Sequence, residues 1–308
     1  MMDSPLLFST RSYAYMLERI CQHHPFEKGA VEVKTFPDGE RYQRILSEVS
    51  EREVVLIGGT HSDADTLELY DLACSMAKFG ARSLTMLVPY FAYSTMERGV
   101  LPGEVITSKS RARLFSSIPP AAKSNRVVLM DLHAAGLTYY FEGSIVPTHL
   151  YAKPVILEAC RRLGGDNFVL ASTDAGRAKW VESLANDLHV EAAFVFKRRL
   201  DGHTTEFKAM NAEVKGAQVI IYDDMIRTGG SLISAAKAYR MAGATGISAI
   251  ATHAILPGNA LERLVESDLF DKIILTDTHP RAIEIEHPKV EVVSVSGILA
   301  DWLKAHFF

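Results

Sequence analysis

Val219–Leu232 reads VIIYDDMIRTGGSL, an apolar run that ends in two carboxylates and a Thr-Gly-Gly-Ser turn. A parallel strand buried on both faces requires such an uninterrupted apolar run, and Val219, Ile220 and Ile221 fit it. The glycines let the backbone turn tightly, and Ser231 to Met241 then carries helix formers. The amides of Thr228, Gly229, Gly230 and Ser231 are therefore expected at a helix N-terminus, where unpaired N–H groups and the helix dipole hold an anion. Asp223 and Asp224, directly upstream, would have little use in a site for phosphate alone. Carboxylates accept hydrogen bonds from vicinal hydroxyls and can share a Mg²⁺ with them, so the loop reads as a seat for a phosphorylated sugar. The plain alternative is a strand-to-helix turn with a solvated acidic pair.

Working outward, the same order of parts occurs twice. Val54–Ile57, Asp65–Phe79, Gly80 and Leu84–Val88 echo Val219–Tyr222, Ser231–Met241, Gly243 and Ile247–Ala251 as strand, helix, glycine and strand. Two similar α/β units follow, each a mainly parallel sheet flanked by helices and joined by right-handed crossovers. A chain of 308 residues has room for both. Gly143, Pro147 and Pro154 place the boundary near Tyr151, giving domains 1–150 and 151–308. The closing amphipathic helix, Gly297–His306, is free to pack back on the first domain.

Composition narrows the partners. A net charge of −4 would not attract nucleic acid or an anionic membrane surface, so small anionic substrates need local cations. Cys21, Cys74 and Cys160 are odd in number, scattered and in no metal-ligand spacing, which fits a reducing cytoplasm. No apolar run reaches the length of a membrane span, and no basic-then-apolar leader opens the sequence, so a cytoplasmic location is expected.

Further segments carry chemistry. Phe36-Pro-Asp-Gly-Glu40 is a turn after an alternating strand; Asp131-Leu-His133 ends a buried strand, where ligands collect in open α/β sheets. Ser172-Thr-Asp-Ala-Gly-Arg177 follows the strand Phe168–Ala171, and Lys197-Arg198-Arg199 follows the strand Ala192–Phe196 ahead of a polar stretch. A run of three cations is ordinarily a solvated face. His253, in Thr252-His-Ala, reads as structural.

DDMIRTGGS, with these segments, resembles the ribose-phosphate diphosphokinase (PRPP synthetase) family of the phosphoribosyltransferase superfamily, from about Leu7 to the C-terminus. The resemblance implies transfer of the diphosphate of ATP to ribose 5-phosphate in an active site between the two domains. The 5-phosphate would sit on Thr228, Gly229, Gly230 and Ser231, and the 2- and 3-hydroxyls on Asp223 and Asp224. Phe36, Asp38 and Glu40 would hold adenine from a neighbouring subunit, which makes the enzyme a homo-oligomer, at least a dimer. Glu97-Arg98 matches the family's Asp-Arg beside the nucleotide, His133 lies near the Mg²⁺ of ATP, and Asp174 near the metal and ribose. Lys197 and Arg199 match the catalytic Lys and Arg of a loop whose closure excludes water.

Three departures stand out. Thr95-Met96 replaces an Arg-Gln pair that contacts the nucleotide, and Gly99–Glu104 replaces a basic regulatory run, so phosphate activation and ADP inhibition of the usual kind are not expected. Thr173 stands where the family has proline, leaving that loop less rigid. A base-salvage phosphoribosyltransferase would share DDMIRTGGS but not the duplicated unit, and a non-catalytic regulatory subunit would not need Lys197, Arg199, Asp174 and His133 together.

Overall fold

The computed structural model describes residues 4–165, 167–199, 205–210 and 213–308, with the backbone alone at 175, 196–199 and 205–210. These form two units, one up to Tyr151 together with Ser296–Phe308, the other Ala152–Val295.

The first unit runs β1 (Leu6–Ser9), α1 (Ala14–His23), β2 (Glu27–Lys28), β3 (Val31–Thr35), β4 (Arg41–Ile45), β5 (Glu53–Ile57), α2 (Asp63–Lys78), β6 (Ser83–Val88), α3 (Thr107–Ser116), β7 (Ser124–Met130) and β8 (Ile145–Leu150). Six strands form one sheet in the order β2-β1-β5-β6-β7-β8, every pairing parallel. Every residue of β6 is buried, as a central parallel strand covered on both faces must be. Phe8, Leu56, Leu69, Met76, Met86, Phe115 and Leu129 belong to one core cluster. Outside the sheet, β3 and β4 make a separate antiparallel hairpin. Its turn is closed by Phe36 N–H donating to Glu40 O at 2.8 Å and Gly39 N–H to Phe36 O at 2.9 Å.

The second unit runs α4 (Lys153–Gly164), β9 (Phe168–Ser172), α5 (Ala178–Leu188), β10 (Glu191–Ala193), β11 (Val195–Arg199), β12 (Thr205–Met210), β13 (Gln218–Ile226), α6 (Gly230–Met241), β14 (Gly246–Ala254), α7 (Ala260–Glu266), β15 (Lys272–Thr276) and β16 (Val290–Val293). Its sheet order, β10-β9-β13-β14-β15-β16, repeats that of the first unit strand for strand, again all parallel. The glycines after α2 and α6 agree as well, Gly80 at φ +89° and Gly243 at φ +95°. The closing helix α8 (Ser296–Phe307) belongs to the first unit and lies against α1, burying Leu299, Ala300, Leu303 and Phe307, with His23 Nε2 3.0 Å from Ser296 Oγ.

Two local expectations change. The acidic pair does not follow the central strand but lies within it, because β14 is equally long and supplies ladder partners through Asp223↔Ala251, Met225↔His253 and Ile226↔Ala254. The stretch expected as one strand plus a polar loop is β10, in the main sheet, and β11, which turns away to pair antiparallel with β12. His253 is buried, with Nδ1 2.9 Å from Thr278 Oγ1.

His149 joins β8 to the turn after β7, its Nε2 accepting from Leu132 N–H at 3.0 Å. Burial pulls its imidazole down to about 4. The unfolded chain therefore binds a proton that the folded chain refuses, and stability contributed here is lost as pH falls from about 6.5 towards about 4. His149→Gln keeps an acceptor without titrating, so thermal unfolding across that window should show a shallower acid loss than wild type; identical profiles would remove His149 from the acid sensitivity.

Candidate functional site

In both sheets the first strand of the unit has neighbours reached by connections running in opposite directions, since β9 leads to β10 on one side and lies against β13 on the other. Loops leaving the carboxyl ends of two such strands diverge, and the crevice between them is where open α/β sheets bind ligands. In the second unit those loops are Ser172–Arg177 and Arg227–Gly229, the two segments singled out in the sequence.

The loop after β9 reaches both acids. Thr173 Oγ1 donates to Asp223 Oδ2 at 3.1 Å, and Arg177 Nη2 forms an ion pair with Asp224 Oδ2. Asp224 N–H also donates to Asp223 Oδ1 at 3.0 Å. The two carboxyl groups also bond to each other, Asp224 being buried and Asp223 partly exposed at its surface. Burial and the neighbouring Asp224 charge push the Asp223 carboxyl up to about 8, against the opposing pull of Arg177 and the Thr173 hydroxyl. The pair thus divides into a guanidinium-bound carboxylate and a carboxyl that keeps its proton near neutrality. Asp174, on the same loop, is exposed, with Oδ1 held by Gly176 N–H at 2.8 Å.

The helix start beside this pair is a bare glycine turn. Gly229 is the N-cap of α6 at φ +75°, and a Cβ there would fall 2.8 Å from Leu264, so no larger residue fits without movement. As a glycine the N-cap residue offers no side chain to cap α6, and the first turn of α6 holds no acid. Tyr239 fixes the helix by donating to the carbonyls of Ser172 at 3.0 Å and Ala193 at 3.2 Å. The corresponding helix of the first unit is already satisfied. Ser62 Oγ accepts from Asp65 N–H at 3.1 Å, Asp63 and Asp65 occupy the first turn, and His61 Nε2 lies 3.0 Å from Asp65 Oδ2. Matching frames therefore differ in whether the first turn of the helix carries the chain's own carboxylates.

In the second unit Thr173 and Arg177 reach the acidic pair, Asp174 is on the same loop as they are, and Thr228–Ser231 follow β13. In the first unit, Phe36 is about half exposed at the hairpin turn with its ring edge on Tyr42, and Asp38 Oδ1 accepts from Glu40 N–H at 3.0 Å. Glu97 and Arg98 pair with each other at 3.3 Å in the loop after β6. His133 follows Asp131, whose φ of +39° marks a strained turn of the kind found at functional sites. Lys197 and Arg199 lie on β11, and their side chains are outside the described residues. Among the described residues no three His, Cys, Asp or Glu side chains form a metal-binding group. Mg²⁺ commonly takes one or two carboxylates and completes its shell with water and substrate phosphates, and exposed Asp174 suits that arrangement. Arg177 carried no role in the sequence; nothing local marks a cation as the partner of an acid on another strand.

Two outcomes follow from this geometry. The native state holds a proton on Asp223 that the unfolded chain releases between about pH 4 and 8, so stability at this position falls as pH rises through that window. Asp223→Asn should unfold at a higher temperature than wild type at pH 8, the gain vanishing near pH 4; a pH-independent difference would refute the ionisation argument. Gly229→Ala should cost roughly 1–3 kcal/mol in denaturant unfolding, from the positive φ and the Leu264 overlap.

Comparison with known proteins meets this geometry along the whole chain. Residues 6–118 match the family model for the N-terminal domain of ribose phosphate pyrophosphokinase, and residues 206–307 that for the phosphoribosyl synthetase-associated domain. The ribose-phosphate pyrophosphokinase of Rhodopirellula baltica is 34% identical over 303 residues, covering 97% of this chain and 94% of that protein. That of Chromobacterium violaceum is 30% identical over 305 residues, covering 98% and 91%. The crystal structure of phosphoribosylpyrophosphate synthetase from Mycobacterium smegmatis superposes with a TM-score of 0.88 at 24% identity, covering 99% of both chains, and shares the fold. With a curated relative matched at this identity over nearly its full length, the chain belongs to the ribose-phosphate pyrophosphokinase family.

Proposed function

We propose that this chain transfers the diphosphate of ATP to the anomeric hydroxyl of ribose 5-phosphate, yielding 5-phosphoribosyl 1-diphosphate (PRPP) and AMP. The observation that carries the reading is the acidic pair of β13 beside the uncapped N-terminus of α6, in a chain matched end to end by ribose-phosphate pyrophosphokinases.

The 5-phosphate is held by the amides and hydroxyls of Thr228–Ser231, where a helix start without its own counter-charge favours an anion. The acidic pair takes the 2- and 3-hydroxyls, which fixes the ring and aims the anomeric oxygen. That oxygen attacks the β-phosphorus in line; the bond from the β-phosphorus to the oxygen shared with the α-phosphate breaks, AMP leaves, and the hydroxyl proton passes to solvent. Lys197 and Arg199 stabilise charge on the phosphoryl oxygens, and no side chain is a covalent nucleophile. Phe36 stacks on adenine while Asp38 and Glu40 accept from its amine; Glu97, Arg98 and His133 complete the ATP contacts. Mg²⁺ bound with ATP, near His133 and Asp174, would neutralise phosphate charge.

An exposed aromatic on a hairpin outside the main sheet fits delivery of Phe36 to a second subunit, so we place the enzyme as a homo-oligomer, a dimer or a multiple of one. No helix among the described residues is long and apolar enough to cross a membrane, and the three cysteines are unpaired, in keeping with a cytoplasmic enzyme.

The test is purified protein with Mg²⁺, ATP and ribose 5-phosphate, following AMP and PRPP together. Equal yields are expected; AMP without PRPP, or no product from any nucleotide donor, would overturn the assignment. Lys197→Ala should lower turnover by roughly 100- to 1,000-fold while ribose 5-phosphate still binds, and unchanged turnover would take that residue out of the mechanism.

A further inference from the structure

Along α6, from Gly230 to Ala242, runs a groove of about 580 Å³ whose far side reaches Arg263 of α7. Ile233, Lys237 and Met241 recur every four residues and so share one stripe of the helix. Ala238 and Ala242 are too small to fill the space between that stripe and α7, which gives the groove its depth. Met241 is 88% exposed, a long flexible thioether standing in water at the end of an apolar floor.

Two cations border this floor, Lys237 on α6 and Arg263 on α7. Among the described residues neither side chain has an acid or a hydrogen-bond acceptor as partner, and no acid lines the groove. Elsewhere in the same unit Lys289 holds Asp268 at 2.6 Å and Arg281 holds Glu284 at 2.7 Å. Unpaired surface cations are ordinarily just solvated. Here both converge on one apolar depression, where an anionic head group would find charge-assisted hydrogen bonds and its carbon body would leave water.

The size of the groove selects the kind of occupant. Its volume lies within the range of small-molecule sites, roughly 300–1,000 Å³. Its eight lining residues fall well short of the roughly 20–30 a side of a stable protein interface. We propose that the groove binds a small amphipathic carboxylate, with its apolar body on Ile233, Ala238 and Met241 and its head group between Arg263 and Lys237. A guanidinium matches a carboxylate with two parallel N–H bonds, and the lysine adds a compact charge. None of these five residues has a part in the proposed reaction, so the site stands independently of it.

The experiment is calorimetric titration of the full chain with decanoate, with decyltrimethylammonium, which has the same tail and the opposite charge, and with acetate, which has the head group alone. Decanoate should bind at one site per chain, and the other two should not saturate. Lys237→Gln and Arg263→Gln should each weaken decanoate roughly fivefold, the upper end for an exposed ion pair, and more when combined. Ser234→Phe, which fills the groove and leaves both cations in place, should abolish binding. All three positions are exposed, so each variant should keep the wild-type unfolding temperature. Decanoate binding that survives Ser234→Phe, equal affinity in the charge variants, equal affinity for decyltrimethylammonium, or no saturable binding by wild type would each overturn the proposal.

Discussion

Two adjacent carboxylates set inside a nearly buried strand are the constraint on which the second unit depends. Charged groups in such a place are costly unless paired or protonated. The strand cannot end before them, because β14 runs alongside for its full length and offers backbone partners as far as Ile226. Relief comes from one neighbouring loop, whose Thr173 hydroxyl and Arg177 guanidinium reach one acid each. The loop is near enough because the strand order reverses beside β9, so topology places the loops after β9 and β13 side by side. Thr173, which lacks the rigidity of proline, adds a hydrogen bond that proline could not make.

The duplicated frame shows how little of function belongs to the fold. Both sheets have the same order and direction. In the first unit, however, the equivalent crevice is filled: a Cβ on Gly59 would fall 2.3 Å from the Tyr13 hydroxyl, so that ring lies directly on the backbone after β5. The acids in the first turn of α2 meet the dipole that α6 leaves open. A serine cap with two aspartates against a bare glycine makes the two helix starts electrostatically unlike.

Outside the sheets the chain places its more individual features. The segment Gly99–Glu104 folds back on itself, Glu104 Oε2 accepting from Val100 N–H at 2.5 Å and Leu101 N–H at 3.0 Å. Val100, Leu101 and Val105 are left exposed, so this loop presents apolar surface where the family's basic run would present cations. Arg111 is drawn to Asp63 at 2.6 Å and lies over the Tyr93 ring, while Arg98 stays with Glu97. Each of these guanidiniums thus has a carboxylate of its own in the first unit.

Much was legible in the sequence because it depends on short-range rules. Continuous apolar runs marked the parallel strands, glycines after helices marked their ends, and DDMIRTGGS carried the acid pair and the helix start. The spacing of Leu299, Ala300, Leu303 and Phe307 likewise shows one apolar face on the last helix. Three matters were decided only by tertiary structure: the continuation of β13 through its acids, the antiparallel pairing of β11 with β12, and the capture of Asp224 by Arg177. For the first and third the deciding partner is distant in sequence, the strand β14 and a loop 47 residues upstream (224 − 177); for the second it is the next strand, β12, which draws β11 out of the main sheet. Local periodicity records which face of a strand is buried, but not which cation from elsewhere will be there to make burial of a charge tolerable.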